Sequence, residues 1–372
     1  MIKLSQPTIS EEAISRVNEI LRSGQLVHGE ECELFEQELA EFIGVKHAIV
    51  VANGTAALHL SLLALGIGPG DAVLIPDFTF VATANVVEMV GAKAIIVDVD
   101  LSSYNMDIEL LENRIKLWTG PEKLKAIMPV LEFGNPANLK QYRKIADRYG
   151  LHLIEDAACA IGSFDEDSNA GTVGDLGCFS FHPRKTLTTG EGGLVTTNDN
   201  QLAEKVKLLR NHGMVRTSKG LEFKAVGLNY RLTNFQAAIG RVILESLPVS
   251  LKKRKRLAKK YHSDLLELEN KNLLSRPVGD KGHSWQTYMI VLNKHINRDE
   301  IIHKMKRQGA EVGIGAQSII SLNLIGIEDV YRKEVNNGVE LYRNGLALPF
   351  HESLSESDVE NVVIALDSVL TI

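Results

Sequence analysis

The sequence predicts an α/β protein with a large, mostly parallel sheet and a smaller C-terminal α+β unit. Seven short apolar runs occupy the first 200 residues, and helix-length patterns separate the first five of them, as parallel strands require. At 372 residues the chain also exceeds the usual size of a single core. We therefore expect a large domain over residues 1–245 and a small domain over 246–372.

The predicted strands follow the chain in a regular order. They are "AIVVA" (48–52), "AVLIP" (72–76), "AIIVDV" (94–99), "AIMPV" (126–130), "LHLIED" (151–156), "GCFSF" (177–181) and "GLVTT" (193–197). Residues 244–270 have the pattern of long amphipathic helices that link two domains. A second mixed unit begins near residue 283 with "HSWQTYMIVL" and ends with a helix capped at Ser355.

Composition excludes several classes of function. The net charge is -6, and the one dense basic cluster, residues 252–256, is interpreted as a solvated helix face, so no nucleic-acid partner is expected. Apolar runs are too short for a signal peptide or a membrane span, which predicts a cytoplasmic protein without a membrane partner. The cysteines Cys32, Cys159 and Cys178 lack the spacing of a disulfide framework or a zinc site.

One glycine-rich turn has the order that anion binding requires. "GIGPGD" (66–71) follows a helix and precedes a strand, so it is read as a turn. Asn53-Gly54-Thr55 instead follows a strand and opens a helix, where free N–H groups favour an anion, although a plain helix cap is the alternative. Lys185 lies in "SFHPRKTLTTGEGG" (180–193), which lacks the spacing of a nucleotide-triphosphate loop.

Asp156 and Lys185 suggest a use for that anion site. Each lies beside the end of a predicted strand, where open α/β sheets bind their ligands. Pyridoxal phosphate needs a lysine, a carboxylate opposite its ring nitrogen and a phosphate site, and Phe78 and Phe80 offer an aromatic face for its ring. A surface lysine and a helix-capping aspartate are the alternative readings, and the residues alone leave both open.

Seven sequence motifs follow one another in order along the chain and point to a known family, with a resemblance that covers nearly the whole chain. They are "FEQELAEFIGVKHAIVVANGTAALHLSLLALGIGPGD" (35–71), "PDFTFVATANVV" (76–87), "GNPANL" (134–139), "IEDAACAIGS" (154–163), "GDLGCFSFHPRKTLTTGEGG" (174–193), "LRNHGM" (209–214) and "LNYRLTNFQAAIG" (228–240). In these the chain resembles the DegT/DnrJ/EryC1/StrS family of pyridoxal-phosphate-dependent sugar aminotransferases, and its perosamine synthase-like members most of all. The resemblance implies the type I aminotransferase fold.

The resemblance also implies residue roles. Lys185 would form the imine with the cofactor and shuttle the proton, and Asp156 would face the ring nitrogen. Many members have glutamine where this chain has Cys159, so a contact of that residue with the ring oxygen is in doubt. The other implied cofactor contacts are the phosphate ligands Thr55, Ala56 and Ser180, the stacking Phe80, and Asn229, which would reach the neighbouring subunit's phosphate in an obligate homodimer.

The implied reaction moves an amino group from L-glutamate to a nucleotide-linked 4-keto-6-deoxyhexose for deoxyamino-sugar biosynthesis, as in lipopolysaccharide O-antigen. A keto-cyclitol or 3-keto sugar as substrate, or a non-catalytic regulatory role, is the alternative. A sugar dehydratase of this family would carry histidine in place of Lys185. The roles of five further polar residues stay open, namely His182, Glu191, Arg216, Lys219 and Arg231.

Overall fold

A seven-stranded sheet forms the centre of the larger part of the protein. The structure is a computed structural model that describes residues 1–279, 281–322 and 334–371. Its strands are β1 (His47–Val51), β2 (Asp71–Pro76), β3 (Phe78–Thr79), β4 (Lys93–Val97), β5 (Lys123–Ile127), β6 (His152–Asp156), β7 (Phe164–Asp165), β8 (Ser168–Asn169), β9 (Leu176–Ser180), β10 (Gly193–Thr197), β11 (Met214–Thr217), β12 (Gly220–Phe223), β13 (Leu274–Ser275), β14 (Tyr288–Leu292), β15 (Gln317–Ser318) and β16 (Gly345–Leu348).

The central sheet is mostly parallel. Its strand order is β1-β10-β9-β6-β5-β2-β4, and β10 is antiparallel to both of its neighbours while the other six strands share one direction. All seven strands predicted from the sequence are present, within a few residues at their ends. Short apolar runs predict these strands because a strand covered by helices on both faces has no solvent-facing side and needs no alternating polar residues. The predicted α/β class is therefore confirmed.

Helices cover both faces of this sheet, and further helices belong to the C-terminal part. In chain order the helices of the described residues are α1 (Glu11–Ser23), α2 (Glu30–Ile43), α3 (Gly54–Leu65), α4 (Ala82–Met89), α5 (Ile108–Lys116), α6 (Leu139–Tyr149), α7 (Asn200–Arg210), α8 (Asn234–Asp264), α9 (Leu266–Asn270), α10 (Arg298–Arg307) and α11 (Ile319–Leu322), followed by Asn337–Asn344 and Glu356–Leu370. Helix α3 is apolar on all sides and buried along most of its length. Such a helix is fixed by packing on every face, which holds its N-terminus in place.

The C-terminal part is a smaller layer of helices on a three-stranded antiparallel sheet, β13-β14-β16. The first residues of the chain join it, since the N–H of Ile2 donates to the carbonyl of Gly309 at 2.7 Å. The 31-residue helix α8 packs in the core of the large part with Leu247 and in the core of the small part with Leu257. The boundary at residues 245 and 246 therefore falls inside a continuous helix, and it stays a prediction.

A two-stranded ribbon joins the C-terminal part to the carboxyl edge of the central sheet. Strand β15 pairs antiparallel with β3, so that Gln317 lies opposite Thr79 and Ser318 opposite Phe78. The carboxylate of Asp77 accepts from the N–H of Ile320 at 2.9 Å and fixes the start of α11. No helix in the described residues is both long and apolar enough to span a membrane.

Candidate active site

A cleft of about 770 Å³ lies at the carboxyl ends of the parallel strands. Its walls come from the start of α3, the segment after β3, the loops after β5, β6 and β9, and the ribbon strand β15. This edge is where open α/β sheets bind their ligands. Of the eight residues predicted for the site, all but Asn229 line this cleft.

Lys185 lies in the turn that follows β9 and reaches into the cleft. Its N–H donates to the carbonyl of His182 at 2.8 Å, and its side-chain Nζ donates to Cys159 Sγ at 2.9 Å. Burial acts to lower the pKa of the ammonium group, but the hydrogen bond to Cys159 and the negative charge of Asp156 are among the contacts that raise that pKa above its ordinary value. The amine is thus held among acidic groups rather than projecting from the surface.

Asp156 ends β6 and is buried in the wall of the same cleft. Its carboxylate accepts from the hydroxyl of Thr83 at 2.9 Å and from the N–H of Ala158 at 3.2 Å. Burial raises its pKa, while these hydrogen bonds and the charge of Lys185 oppose the rise. A ligand N–H beside this carboxylate would form a charge-assisted hydrogen bond and favour its ionised form.

Glu155, the neighbouring carboxylate, has a different function. Its side chain leaves the opposite face of the strand and accepts from the N–H groups of Gly171, Val173 and Gly174 at 2.7, 2.8 and 2.6 Å. Because successive strand residues point to opposite faces, only one of the pair can enter the cleft. Asp156 has the ligand-facing position, and Glu155 holds the loop after β8.

The start of α3 forms the end of the cleft that suits an anion. Asn53 caps the helix, and its Oδ1 accepts from the N–H of Ala56 at 2.8 Å, so the uncapped first-turn donors are the N–H groups of Gly54 and Thr55. A Cβ on Gly54 would come within 2.8 Å of the Cβ of Ser180, so glycine is what lets Ser180 approach this helix end. Backbone donors, the positive end of the helix and two hydroxyl groups meet here.

The two phenylalanines after β2 have separate positions. Phe80 lines the cleft with 62% of its surface exposed, as expected for a residue that stacks on a ligand. Phe78 is 0% exposed and packs edge-on against Tyr104 and Phe133 in the core. Phe78 therefore offers no face to a ligand, and this part of the sequence prediction is wrong: two residues apart in a strand would share a face, but β3 ends at Thr79, so Phe80 leaves the strand and only Phe78 enters the core.

Cys159 lies against the amine of Lys185 and so is more than a packing neighbour. Burial raises the pKa of its thiol, so the group is neutral near pH 7 and is a weak hydrogen-bond partner. We expect Cys159→Ala to keep substantial activity, within about tenfold of the unchanged protein, because a bond of this kind contributes about 1 kcal/mol. Steady-state rates of amino transfer for the two proteins test this, and complete loss of activity would contradict it.

The residues predicted for substrate and partner contacts lie outside the cleft of their own chain. Asn229 is exposed, and Arg216 and Lys219 lie on the β11–β12 hairpin. Arg231 donates to Oδ1 of Asn211 at 2.6 Å, a contact that orders the adjoining segment. None of these four side chains lines the cleft in the part of the chain that the structure describes, so their roles stay predictions.

His182 and Glu191 do line the cleft. The ring Nδ1 of His182 accepts from the N–H of Arg184 at 3.2 Å, and burial lowers its pKa, so the ring is neutral near pH 7. This contact shapes the turn that carries Lys185. Glu191 is exposed at the mouth, with its backbone carbonyl fixed by the hydroxyl of Thr189 at 2.6 Å.

The cleft lining also includes residues that the sequence did not indicate, among them Glu132, Arg184 and Gln317. Glu132 follows β5 at the same edge as Asp156, and a carboxylate just after a strand-like run was the signal that could have found it. Gln317 comes from β15, far away in sequence, and only the pairing with β3 brings it here. Its Oε1 is buried without a hydrogen-bond partner in the described structure, as for a group that serves a ligand.

Comparison with known proteins identifies the family. The family model for the DegT/DnrJ/EryC1/StrS aminotransferases matches residues 7–367, which is almost the whole chain. The chain belongs to this family. It is 38% identical to GDP-perosamine synthase of Caulobacter vibrioides over 90% of this chain and 89% of that protein, and 33% identical to spore coat polysaccharide biosynthesis protein SpsC of Bacillus subtilis over 98% and 96%.

Solved structures agree with this assignment. Aminotransferase TlmJ from Streptoalloteichus hindustanus superposes with a TM-score of 0.92 at 30% identity, covering 100% of this chain and 99% of that one. PseC of Helicobacter pylori, an aminotransferase in pseudaminic acid biosynthesis, superposes with a TM-score of 0.89 at 28% identity, covering 99% and 98%. The protein is therefore a sugar aminotransferase with the aminotransferase fold that its sequence predicted.

The cleft fits pyridoxal phosphate. NtdA from Bacillus subtilis, 27% identical with a TM-score of 0.85 over 98% of this chain and 83% of that one, was solved with bound PMP, the amine form of the same cofactor. In this chain, Gly54 and Ser180 leave room for a phosphate at the start of α3, and the carboxylate of Asp156 and amine of Lys185 face one cleft. A lysine, a carboxylate and an anion site are the groups that this cofactor requires.

Proposed function

We propose that this sugar aminotransferase moves the amino group of L-glutamate to the keto carbon of a nucleotide-linked keto-deoxysugar, a 4-keto-6-deoxyhexose. The placement of Lys185 and Asp156 in one cleft, with the start of α3 at its end, carries the proposal. The cofactor is pyridoxal 5′-phosphate. The cleft volume of about 770 Å³ suits a substrate of nucleotide-sugar size, and the similarity to GDP-perosamine synthase supports the substrate class.

Six residues of the cleft have a defined task in this proposal. The cofactor supplies an aldehyde for the amino group and a ring that withdraws electrons from the substrate carbon. Lys185 holds the aldehyde carbon until the donor amine arrives, and its freed amine then takes the proton from the donor's α-carbon. Asp156 keeps the ring nitrogen protonated through a charge-assisted hydrogen bond. Thr55 and Ser180 bind the phosphate with the free N–H groups of the first turn of α3, Ala56 joins them once its N–H leaves Oδ1 of Asn53, and Phe80 covers the ring.

A substrate screen tests the proposal. Purified protein with bound cofactor and L-glutamate is offered a 4-keto-6-deoxy nucleotide sugar, a 3-keto nucleotide sugar and a keto-cyclitol, with product mass as the readout. We expect amination of the 4-keto sugar. Amination of the keto-cyclitol alone would overturn the substrate class, and amination of the 3-keto sugar alone would overturn the position of the keto group.

The same screen separates an enzyme from a regulatory protein of this fold. A non-catalytic protein has no need of an amine that can leave the cofactor and carry a proton, so the intact Lys185 and Asp156 favour catalysis. With L-glutamate alone, the enzyme should convert the bound cofactor to its amine form and release 2-oxoglutarate. An unchanged absorption spectrum after glutamate addition would favour the regulatory role.

A homodimer with shared sites is part of the proposal. Asn229 is exposed, and the β11–β12 hairpin that precedes it carries Phe223 at 70% and Val226 at 97% exposure at its end. Exposed apolar side chains of this kind mark interaction surfaces, and a second copy of this chain is the partner we propose. In that arrangement Asn229 would contribute to the phosphate site of the neighbouring subunit.

Mixing two inactive variants tests the shared site. Lys185→Ala lacks the amine and Asn229→Ala lacks the partner contact, so each should be strongly impaired alone. In a mixed dimer, one of the two sites receives Lys185 from one chain and Asn229 from the other, so activity should return to about half per mixed dimer. Co-expression with two affinity tags isolates that species. If it stays as inactive as the separate variants, Asn229 does not act across subunits.

The amino sugar would be made in the cytoplasm. It would then be used for a polysaccharide of the cell surface, for example lipopolysaccharide O-antigen. The name of the relative SpsC, a spore coat polysaccharide biosynthesis protein, supports a polysaccharide destination. Chemically, the reaction needs a preceding step that oxidises a sugar hydroxyl to a ketone. Loss of an amino sugar from the surface polysaccharide on deletion of the gene is the expected result.

A further inference from the structure

Glu132 places a second carboxyl group in the catalytic cleft. The residue is 5% exposed, lines the cleft, and lies close enough to Lys185 and Asp156 for their charges to act on it. Two residues before it, Val130 forms a parallel bridge with Asp156, so the two acidic residues lie on neighbouring chain segments. The tasks given above to Lys185 and Asp156 do not use this group.

The backbone around Glu132 is held rigidly. Its N–H donates to Oδ1 of the fully buried Asn105 at 3.0 Å, and Nδ2 of Asn105 donates to the carbonyl of Asn135 at 3.0 Å. Phe133 has a φ of 56°, an uncommon value for a residue other than glycine, and its ring packs edge-on against Phe78 and Tyr104. A turn fixed in this way holds the backbone of Glu132, from which its side chain reaches the cleft, in one position.

Its surroundings favour the protonated form of Glu132. Asp156 accepts hydrogen bonds from a hydroxyl and an N–H, whereas the stabilising backbone contact of Glu132 is the N–H of Phe133. Burial, together with the charge of Asp156, raises the pKa of Glu132 to about 8, although Lys185 opposes the rise. Of two neighbouring carboxyl groups, the one with fewer donors keeps the proton. The titratable groups that face it among the described residues are Asp156, Cys159 and Lys185.

The order of strands shows which side of the cofactor Glu132 faces. The phosphate site lies over β1 and β9, Asp156 ends β6, and Glu132 follows β5, on the other side of β6 from the phosphate site. In pyridoxal phosphate, the ring hydroxyl and the phosphate arm lie on opposite sides of the line from the ring nitrogen to the aldehyde. With the nitrogen at Asp156 and the phosphate at α3, the hydroxyl side points towards β5.

We propose that Glu132 is a neutral carboxylic acid that donates a hydrogen bond to the ring oxygen of the bound cofactor. The proposal rests on the cofactor of the proposed function, but it does not depend on which sugar is the substrate. The acid supplies the strong donor that the Cys159 thiol cannot supply on this side of the ring. Glu132 is thereby a cofactor-contacting residue of this chain.

Two substitutions separate a neutral donor from an ionised carboxylate. In Glu132→Gln the amide can still donate, so the rate of the glutamate half-reaction at pH 7 should stay within about threefold of the unchanged protein. In Glu132→Leu no donor remains, and the rate should fall about 10- to 100-fold, as for a lost hydrogen bond in a dry site. Glu109→Gln, at an exposed position on α5, is the matched control and should change nothing.

The pH dependence gives an independent readout. The acid donates while it is protonated and loses the proton as the pH rises through its raised pKa, so the absorption spectrum of the bound cofactor should show a titration above neutral pH in the unchanged protein. That transition should be absent in Glu132→Gln. In cofactor-free protein, the infrared carbonyl band of a neutral carboxylic acid should be present at pH 7, disappear at pH 10, and be missing from Glu132→Gln.

The outcomes also distinguish this proposal from the proposed function. Loss of the half-reaction in Glu132→Gln, or an infrared band that is absent at pH 7, would show an ionised carboxylate and overturn the proposal. A half-reaction in Glu132→Leu as fast as in Glu109→Gln would overturn it too. If no keto-sugar is aminated while the infrared and half-reaction results are as expected, the substrate assignment fails and the role of Glu132 stands.

Discussion

Replacing Lys185 by alanine should abolish amino transfer, with a loss of at least about 10³-fold in kcat. The substitution removes both the amine that holds the cofactor aldehyde and the group that moves the proton, and a proton-transfer group alone contributes about 10²- to 10⁴-fold. The protein should stay folded, because the Nζ of Lys185 makes one hydrogen bond, to Cys159, in the described structure. Rates of both half-reactions and the melting temperature measure the two effects.

Lys259→Ala is the control for this substitution. Lys259 is exposed on α8, far from the cleft, so its loss should change neither the rate nor the spectrum. Borohydride treatment adds a chemical readout, since reduction should attach the cofactor to the peptide that contains Lys185. An unchanged peptide mass, or a Lys185→Ala variant that still transfers amino groups at an ordinary rate, would remove the basis of the proposed mechanism.

The fold could be predicted largely from local patterns. Each strand of the central sheet is a short apolar run, and the run predicts the strand because parallel strands buried on both faces need no alternation. An apolar run does not show the direction of its strand, so the antiparallel orientation of β10 could not be predicted from it. Pairing of β3 with β15 joins residues more than 200 positions apart, and no local pattern predicts a contact at that distance.

Which residues lie together could be predicted where position follows from strand order, and could not be predicted where it depends on contacts between distant parts of the chain. Lys185, Asp156 and the start of α3 all lie at strand ends, so their meeting follows from the topology of the sheet. The cations Arg216 and Lys219 were candidates by charge alone, and charge does not determine which surface a hairpin faces. Glu132 comes two residues after the apolar run 126–130, so the same strand-end rule applies to it.

Asp156→Asn is expected to cost about 10³-fold in kcat while leaving the fold intact. The amide cannot carry the negative charge that keeps the ring nitrogen protonated, so the cofactor loses its power to withdraw electrons. Local hydrogen bonds survive the change, because the amide oxygen can accept from Ala158 and the hydroxyl of Thr83 can reverse its role. Single-turnover spectra with L-glutamate measure the loss, and the melting temperature should stay within a few degrees of the unchanged protein.

Glu155→Gln, at the neighbouring position of β6, is the matched control. It should lose stability and keep activity, whereas Asp156→Asn should lose activity and keep stability. The NH2 group of the new side chain would point at one of the three backbone N–H groups of residues 171–174, so that one hydrogen-bond donor meets another. This costs about 1–3 kcal/mol of unfolding free energy. The rate should stay near that of the unchanged protein, since Glu155 leaves the strand away from the cleft. If instead Glu155→Gln lost activity and Asp156→Asn lost only stability, the assignment of catalytic and structural carboxylates along β6 would be reversed.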